Sequence, residues 1–495
     1  MIEIACKKNK FTYNVYHITK AFFPGEDIIQ KVDEKQESLV ELKLPGESCF
    51  SIAPGEIADE LREGAAGCGT VSEEKVLSEE ETGQIEKRAV TRSVYRYLLK
   101  ETGRPLAWGT LTGVRPTKLI MQMAEEGKTQ EEITAFLEAE YFVSREKAKL
   151  GYEVACHERE LLSQIRHKGG FSLYVGIPFC PSVCSYCSFS SSPIGVWKDR
   201  VDAYLDALEK EIRAIGEMSG SRKPDTVYVG GGTPTTLETH QLDRLLSVIE
   251  ESFDLSHTVE FTVEAGRPDS ITPEKLSVLR KHPVTRISIN PQTMQQKTLD
   301  LVGRHHTVEQ VYEAFYLARE LGFDNINMDL IAGLPGETAA DMQDTLGQIE
   351  KLCPDSLTVH SLAIKRAARF GQEGRTMDLH TEISRMVDDA AACARKMGLV
   401  PYYLYRQKNI AGNFENVGYA ELDKAGIYNI LIMEEKQTIL AAGAGASTKI
   451  LLPEPIRTER GKEIDLVHVE NVKNITEYIS RIDEMIERKG EWLWR

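Results

Sequence analysis

The chain has 495 residues, of which 41% are hydrophobic and 27% are charged, and its formal net charge is −16. This composition is typical of a globular protein, and the negative charge provides no overall basic field that would attract nucleic acid or an anionic membrane surface. No apolar signal core follows Met1, and no run of about 18 apolar residues occurs. The sequence therefore predicts a cytoplasmic protein of about three domains, with no membrane partner and no nucleic-acid partner.

Residues 1–165 predict an N-terminal α+β domain whose role the sequence leaves open. Partial alternation of β-type residues predicts strands over Phe11–Ile18 and Ser38–Leu44. Helical periodicity predicts helices over Glu79–Glu101 and 129–165.

Two cations, Arg115 and Lys118, stand beside Pro116 in this part of the chain. A solvated helix start explains them, and so does a contact with an anionic substrate or with the next domain. Both interpretations stay open.

From Phe171 onward, strand-like and helical runs alternate. The predicted strands are 171–177, 225–229, 258–264, 284–290, 325–331 and 355–362. The predicted helices between them are 199–218, 238–252, 273–281, 308–322 and 338–352. Six such βα repeats predict a parallel sheet with external helices, curved into a partial or full barrel over residues 166–375. Ligands bind at the carboxyl ends of the strands in such folds.

Residues 376–495 predict a smaller α/β domain that closes over the mouth of the barrel. A linker is predicted at Gly371–Gly374, and helices are predicted over Leu379–Met397 and 474–488.

One short loop holds three of the nine cysteines. Cys180, Cys184 and Cys187 follow the strand-like run 171–177 at the spacing CxxxCxxC. Three thiolates can hold three irons of a cubane iron–sulfur cluster and leave the fourth iron open to a small molecule. A zinc knuckle, a disulfide and three unrelated core cysteines are the alternatives, although zinc requires a fourth Cys or His at short spacing. The other six cysteines are scattered, and a scattered cysteine is most often a small buried hydrophobe.

A glycine-rich turn, Gly230–Pro234 (GGGTP), follows the next predicted strand. Glycine lets a ligand approach the backbone because no Cβ stands in the way. Many such turns are ordinary βα connections, so the turn alone is weak evidence. Its place one βα unit after the cysteine loop points to a site for the amino end of a methionine-type ligand.

The cysteine loop, the GGGTP turn and the six βα units together resemble the radical S-adenosylmethionine (SAM) superfamily over about 171–370. The forms Tyr-x-x-Ile-Pro-Phe-Cys and GGGTPT are similar to the oxygen-independent coproporphyrinogen III oxidase-like family of HemN, HemW and HemZ. The N-terminal extension and the segments 402–409 and 413–419 resemble its HemZ branch over nearly the whole chain. The resemblance implies an α/β fold: a radical SAM partial (β/α)6 barrel, an N-terminal α+β domain and a C-terminal α/β capping domain.

The resemblance implies two cofactors, a [4Fe–4S] cluster and SAM. Cys180, Cys184 and Cys187 would bind three irons, and SAM would bind the fourth through its amino and carboxylate groups. The positions that match SAM-binding residues of the family are Tyr174, Tyr186, Gly231, Gly232, Thr233, Glu264, Gln292, Arg304, Asp329 and Ala363. Tyr186 would pack on the adenine ring, Arg304 would suit the SAM carboxylate, and Ala363 is a weaker alignment. No catalytic side chain is assigned.

Each of these residue types also has a purely structural interpretation. A carboxylate at a strand end, such as Glu264 or Asp329, is often a helix N-cap or a salt-bridge partner. A solvated surface charge is the alternative for Arg304. For His305 and His306, a helix cap or an interior hydrogen bond is favoured over metal ligation.

The activity implied by the resemblance is oxygen-independent oxidative decarboxylation of coproporphyrinogen III in haem biosynthesis. A 5′-deoxyadenosyl radical would remove a hydrogen atom from a propionate side chain. Loss of carbon dioxide, with transfer of one electron to a final electron acceptor, would then leave a vinyl group. Two rounds give protoporphyrinogen IX, and the implied electron donor is a protein such as flavodoxin or ferredoxin. A tetra-anionic substrate needs local cations, and solvated charge is the alternative for the candidates Lys365, Arg366, Arg369, Arg406 and Lys408.

Two departures weaken the transfer of this activity. The authentic oxidases of the family carry a further cysteine two residues beyond the third ligand, where this chain has Phe189. Asn290-Pro291 replaces the more usual Gly-Val before Gln292. A haem-binding chaperone on the same scaffold and a radical SAM methyltransferase that acts on a porphyrin therefore stay open as alternatives.

Overall fold

The structure is a computed structural model. It describes residues 1–46, 48–57, 79–166, 169–189, 191–362, 379–406, 414–457 and 463–493. The chain divides into two compact units. The first takes Met1–Ala155, Ser361–Thr381 and Leu404–Glu415, and the second takes Cys156–His360, Glu382–Tyr403 and Asn416–Arg495. In these described ranges, no helix combines the length and the apolar character needed to cross a bilayer.

The first unit opens with a four-stranded sheet of order β2-β1-β3-β4. Its strands are β1 (Ile2–Cys6), β2 (Ile28–Val32), β3 (Val40–Lys43) and β4 (Cys49–Ile52). Its helices are α1 (Asn9–Phe22), α2 (Glu79–Thr102), α3 (Thr117–Glu125), α4 (Gln130–Tyr141) and α5 (Arg145–Leu162), the last of which continues into the second unit. The predicted strand over Ser38–Leu44 and the predicted helix over Glu79–Glu101 are confirmed by β3 and α2.

The strand predicted over Phe11–Ile18 is wrong, because this segment belongs to the helix α1. Phe11, Val15, Ile18 and Phe22 are all buried. Their spacing of three or four residues places them on one face of a helix, which packs as an apolar stripe. The apparent alternation was a by-product of this helical spacing.

The helix predicted over 129–165 is divided into α4 and α5. Thr129 caps the start of α4 in a reciprocal capping box with Glu132. Phe142 follows α4 in the left-handed conformation, with φ of 54°. An α-helix cannot continue through this conformation, so the chain turns before α5 begins.

The second unit is built on an eleven-stranded sheet in the described part of the chain. Its six βα strands are β5 (Gly170–Ile177), β8 (Lys223–Gly231), β9 (Glu260–Glu264), β10 (Arg286–Ser288), β11 (Ile326–Ala332) and β12 (Ser356–Ser361). The helices between them are α6 (Val201–Ser219), α7 (Thr239–Ser252), α8 (Pro273–Lys281), α9 (Gln296–Leu301), α10 (Val308–Glu320) and α11 (Ala339–Leu352). β5, β8, β9, β10 and β11 pair in parallel, and β12 lies next to β11. The predicted run of six βα units is confirmed.

The remaining strands extend this sheet at both ends. They are β13 (Val400–Tyr405), β14 (Asn416–Ala420), β15 (Ile439–Ala442), β16 (Ser447–Arg457) and β17 (Glu463–Glu470). β14 pairs antiparallel with β12, and β15 pairs in parallel with β5. The helices of this part are α12 (Leu379–Lys396), α13 (Ile427–Glu434), α14 (Ile475–Ser480) and α15 (Ile482–Gly490). The final helix predicted over 474–488 is thus two short helices, and the linker predicted at Gly371–Gly374 lies outside the described residues.

The two faces of the parallel strands differ in chemistry. On β5, Phe171, Leu173, Val175 and Ile177 are 0% exposed. Successive side chains of a strand point to opposite faces, so Tyr174 lies on the other face, where its partner in register is Tyr228 of β8. One face therefore forms an apolar layer, and the other carries the polar side chains that lead to the candidate site.

Candidate cofactor site

Most of the predicted site residues meet at one edge of the parallel sheet. Gly231 and Glu264 are the last residues of β8 and β9, and Asp329 lies within β11. Gln292 follows β10 and makes an isolated bridge to Leu330 of β11. The carboxyl ends of parallel strands are where ligands bind in such sheets.

The cysteine loop begins at the end of β5 and is closed by a short strand pair. β6 (Phe179–Cys180) pairs in parallel with β7 (Ser192–Pro193), and the N–H of Cys187 donates to the carbonyl oxygen of Cys184 at 3.0 Å. Cys180, Cys184 and Cys187 all have free thiols. Among the residues with a described position, no three His, Cys, Asp or Glu side chains converge on a single metal ion. A cubane cluster takes one thiolate per iron, so its ligands surround the group instead of meeting at one point.

The glycine-rich turn is bonded directly to this loop. The N–H of Gly232 donates to the carbonyl oxygen of Ile177, and the N–H of Thr233 donates to that of Phe179, both at 2.7 Å. Thr233 Oγ1 lies 3.5 Å from Cys180 Sγ. A Cβ at Gly232 would stand 2.5 Å from the carbonyl oxygen of Phe179, so only glycine permits this approach.

Glu264 accepts two hydrogen bonds beside the glycine turn. Tyr228 Oη donates at 2.5 Å and the N–H of Gly231 donates at 3.3 Å. Burial raises the pKa of Glu264 to about 7, although the hydrogen bond from Tyr228 opposes the rise. The rings of Tyr174 and Tyr228 stack at a centroid distance of 6.3 Å, and Tyr428 of α13 stacks on them at 6.2 and 4.5 Å. A half-ionised carboxyl group therefore lies among aromatic rings at neutral pH.

Gln292 has a conformation that favours glycine. Its φ is 69°, and its N–H donates to the carbonyl oxygen of Asp329 at 2.9 Å. Its Oε1 is buried without a hydrogen-bond partner among the described residues, as is Oδ1 of Asn290. Backbone strain and unpaired buried polar atoms are rare in proteins and are concentrated at ligand sites.

Asp329 is the second carboxylate at this edge. Burial acts to raise its pKa, but His360, whose Nε2 lies 3.7 Å from the carboxylate, and the hydrogen bond from Asn327 outweigh that effect, so the pKa of Asp329 is lowered. Asn327 Nδ2 donates at 2.7 Å. Asp329 is thus ionised at neutral pH, whereas Glu264 is about half protonated.

Arg304 is 5% exposed, so its interpretation as a solvated surface charge is wrong. Its Nη2 donates to the carbonyl oxygens of Gly266, at 2.7 Å, and Asn290. Its Nη1 lies 3.3 Å from Tyr186 Oη and 3.8 Å from Cys184 Sγ. The contact of Tyr186 with an adenine ring stays a prediction.

Arg267 is the main polar residue that the sequence analysis missed. It is 2% exposed, pairs with Asp269, and places Nη1 3.7 Å from Cys184 Sγ. A signal existed, since Arg267 follows the strand-end residue Glu264 after only two small residues. No such signal marks Tyr428, which approaches from a helix much later in the chain.

The histidine pair is divided by the fold. His305 is exposed, whereas His306 is 0% exposed. Burial and, next, the charge of Arg304 lower the pKa of His306 to about 3, so its ring is neutral. Neither ring nitrogen of His306 has a hydrogen-bond partner within the described ranges. The expected helix cap or hydrogen bond is therefore wrong for this side chain.

Arg406 does not present an exposed positive charge to which an anionic substrate could bind. It is 2% exposed, and its Nη2 donates to the carbonyl oxygens of Leu111 and Gly113 at 2.6 Å each. Lys118 is exposed in the first turn of α3, as expected for a solvated helix start. The other predicted residues, Ala363, Lys365, Arg366, Arg369 and Lys408, lie outside the described part of the chain.

This donor set fits an iron–sulfur cluster with a small ligand beside it. The three free thiols supply the ligands that such a cluster takes. The glycine turn is bonded to the loop of these thiols, and Gln292 offers an unpartnered acceptor at the same sheet edge.

Comparison with known proteins gives a consistent result. The model of the radical SAM superfamily matches residues 174–349. The oxygen-independent coproporphyrinogen-III oxidase-like protein HemZ of Bacillus subtilis is 41% identical over 423 residues, covering 84% of this chain and 83% of that protein. The haem chaperone HemW of the same organism is 38% identical over 205 residues, which cover 40% of this chain and 52% of HemW.

Among solved structures, the coproporphyrinogen III oxidase HemN of Escherichia coli, described as a radical SAM enzyme, aligns with a TM-score of 0.51. The alignment covers 68% of this chain and 73% of that chain at 24% identity. This likeness is one of fold, and it confirms the fold class predicted from the sequence.

Proposed function

Because this chain belongs to the radical SAM family of oxygen-independent coproporphyrinogen III oxidase-like proteins, we propose that it oxidatively decarboxylates coproporphyrinogen III to protoporphyrinogen IX. Its cofactors are those of the radical SAM superfamily, a [4Fe–4S] cluster and SAM. When bound, they supply the 5′-deoxyadenosyl radical that removes a hydrogen atom from the substrate. The chain itself binds and orients these groups and excludes water.

The observation that carries the proposal is the juxtaposition of the cysteine loop and the glycine turn. Cys180, Cys184 and Cys187 are free and lie in one loop, and Thr233 ties the turn to Cys180 through a contact of 3.5 Å. A ligand bound along the turn would thus lie next to the cluster. These three thiols are proposed to hold the cluster.

The SAM subsite is proposed along the strand ends from β5 to β11. The backbone at Gly231 and Gly232 would lie against the ligand, and Tyr174 flanks the turn. A Cβ at Gly231 would come within 2.9 Å of Tyr174 Oη. The carboxylate of Glu264 would accept hydrogen bonds from the ligand, and so would the unpartnered Oε1 of Gln292.

Two further residues of the subsite have defined electrostatic roles. Asp329 stays ionised beside His360, so it can accept a hydrogen bond from a hydroxyl or ammonium group. Arg304 holds its positive charge between Cys184 and Tyr186, where it would favour the carboxylate of SAM.

The substrate assignment rests on the relative HemZ, whose name describes it as an oxygen-independent coproporphyrinogen-III oxidase-like protein. A flavodoxin or ferredoxin is the proposed electron donor. The decisive experiment is anaerobic reconstitution with iron and sulfide, followed by incubation with dithionite, SAM and coproporphyrinogen III. Formation of 5′-deoxyadenosine together with protoporphyrinogen IX is expected. Reconstituted protein that cleaves SAM but leaves coproporphyrinogen III unchanged would contradict the oxidase proposal.

A second candidate, a haem chaperone, is favoured by two specific observations. The chain is 38% identical to the haem chaperone HemW over 205 residues. Phe189, which occupies the position of the oxidases' additional cysteine, is 72% exposed and so presents an apolar ring at the cysteine loop. Stoichiometric haem binding and transfer to an acceptor protein, with no decarboxylation in the assay above, would favour this candidate.

A further inference from the structure

Two buried guanidinium groups approach the same thiol. Arg267 is 2% exposed and Arg304 is 5% exposed. Their Nη1 atoms lie 3.7 and 3.8 Å from Sγ of Cys184, within reach of N–H···S hydrogen bonds. Each guanidinium group also makes hydrogen bonds to other residues. These bonds fix its position next to Cys184.

The other two thiols of the loop have neutral neighbours at hydrogen-bond distance. Cys180 Sγ lies 3.5 Å from the hydroxyl of Thr233, and Cys187 Sγ lies 3.9 Å from the hydroxyl of Ser191. Of the contacts described for the three thiols, the charged ones are therefore concentrated at Cys184.

Arg267 is fixed in its orientation by a fork of hydrogen bonds. Its Nε and Nη2 donate to the two carboxylate oxygens of Asp269 at 2.9 and 2.7 Å. Its Nη1 also donates to Oγ of Ser182 at 3.2 Å, within the cysteine loop. A planar guanidinium bonded in this way keeps one N–H directed at Cys184.

We propose that Arg267 is a positioning residue that raises the reduction potential of the cluster by directing a fixed positive charge and an N–H donor at Cys184. Reduction potentials of iron–sulfur clusters depend on net charge and on hydrogen bonds to sulfur. Reduction adds one electron, and a nearby cation in a buried site stabilises the more negative state. The inference rests on the cluster-binding part of the proposed function, and its measurement uses no substrate.

The test is an anaerobic redox titration of the reconstituted chain with dithionite, followed by electron paramagnetic resonance. Arg267→Gln removes the charge, so the midpoint potential should move to more negative values. At a fixed solution potential, the ratio of reduced to oxidised cluster should fall about tenfold, which corresponds to about 59 mV for a one-electron couple. Arg267→Lys keeps the charge but loses the fork, so its shift should be smaller and of the same sign.

The matched control is Arg244→Gln. Arg244 lies on α7, pairs with Asp206 at 2.6 Å and has a side chain that is 37% exposed. The substitution changes the net charge by the same amount away from the cysteine loop, so the potential should stay at the wild-type value. An equal shift in Arg244→Gln and Arg267→Gln would overturn the proposal.

A second variant should shift the midpoint potential in the opposite direction. Asp269→Asn leaves Arg267 in place and removes the negative charge beside it, so the potential should become more positive. Arg267→Gln protein with full iron content and the wild-type potential would overturn the proposal. If Arg267→Gln protein loses its iron, Arg267→Lys and Asp269→Asn decide, and wild-type potentials in both would overturn it.

Discussion

Two of the regions of the second unit that contain buried charge differ in how completely their polar atoms are hydrogen-bonded. Around Glu211, both carboxylate oxygens are saturated. Lys489 Nζ and Asn471 Nδ2 donate to Oε1 at 2.5 and 2.8 Å, and Tyr478 Oη and the N–H of Gly443 donate to Oε2. The side chains of Glu211 and Lys489 are both 0% exposed. This network joins α6, α15 and the turn after β15.

Near the carboxyl ends of the parallel strands, by contrast, several buried polar atoms lack a hydrogen-bond partner among the described residues. Asn290 Oδ1, Gln292 Oε1, Arg304 Nε and both ring nitrogens of His306 are buried without a hydrogen-bond partner in the described residues. Such atoms cost free energy when no partner satisfies them, and a group of them in one place is typical of a site that a ligand completes.

The saturated region around Glu211 supports the backbone next to the unsaturated one. Gly443 has a φ of +113°, and a Cβ there would stand 2.5 Å from the carbonyl oxygen of Gly176. The network around Glu211 therefore holds the turn after β15 tightly against the end of β5, where the cysteine loop begins. Each region can be perturbed separately.

The largest effect is expected from removal of one thiol in the unsaturated region. Cys184→Ala should abolish the iron content and the brown absorbance of the reconstituted chain, because two thiolates cannot replace three at a cubane cluster. Cys393→Ala, which removes a half-buried thiol on α12, is the control and should keep full iron. Iron and sulfide analysis measures both, and full iron in Cys184→Ala would contradict the site assignment.

The next effect concerns the saturated region. Lys489→Met leaves the carboxylate of Glu211 buried without its cation, so the free energy of unfolding should fall by about 3–5 kcal/mol in urea denaturation. The double variant Glu211→Gln/Lys489→Met removes both charges and should recover much of this loss. If Lys489→Met is as stable as the wild type, the network has no supporting role.

A smaller effect is expected from pH at Glu264. Its pKa is about 7, so the carboxylate that would accept hydrogen bonds from SAM is lost as the pH falls below 7. The dissociation constant of SAM should therefore rise about tenfold from pH 8 to pH 6, as measured by anaerobic calorimetry. Glu264→Gln should bind SAM more weakly at pH 8 and should lose this pH dependence. A pH dependence that persists in Glu264→Gln would assign the titration to another group.

The smallest effect is expected at Phe189. Because Phe189 is 72% exposed, Phe189→Cys should change the free energy of unfolding by less than about 0.5 kcal/mol. Its iron content should equal that of the wild type, because under the proposed function Cys180, Cys184 and Cys187 already supply the three thiolate ligands of the cluster. Additional iron in this variant would show that the position can act as a ligand.

The six βα units and the position of the candidate site could be predicted from the sequence. The hydrophobic periodicity of a strand or a helix is a local property of the sequence. The order of strands and helices from β5 to β12 could therefore be predicted. The spacing CxxxCxxC and the turn Gly230–Pro234 are equally local, because a few adjacent residues form each of them. Over Phe11–Ile18, the hydrophobic residues fit both a strand period and a helix period. The segment is a helix because its buried face packs in the core of the first unit.

Which buried polar groups have hydrogen-bond partners depends on the packing of segments that are far apart in the sequence. Arg267 reaches Cys184 from the loop after β9, and Arg304 reaches it from the loop after α9. Lys489 reaches Glu211 from a helix near the end of the chain. A sequence shows that such charges exist but not which partner each one meets, because hydrogen bonds need distances and directions that form only when remote segments pack. The local pattern thus located the candidate site, and long-range packing decided which of its atoms are free to bind.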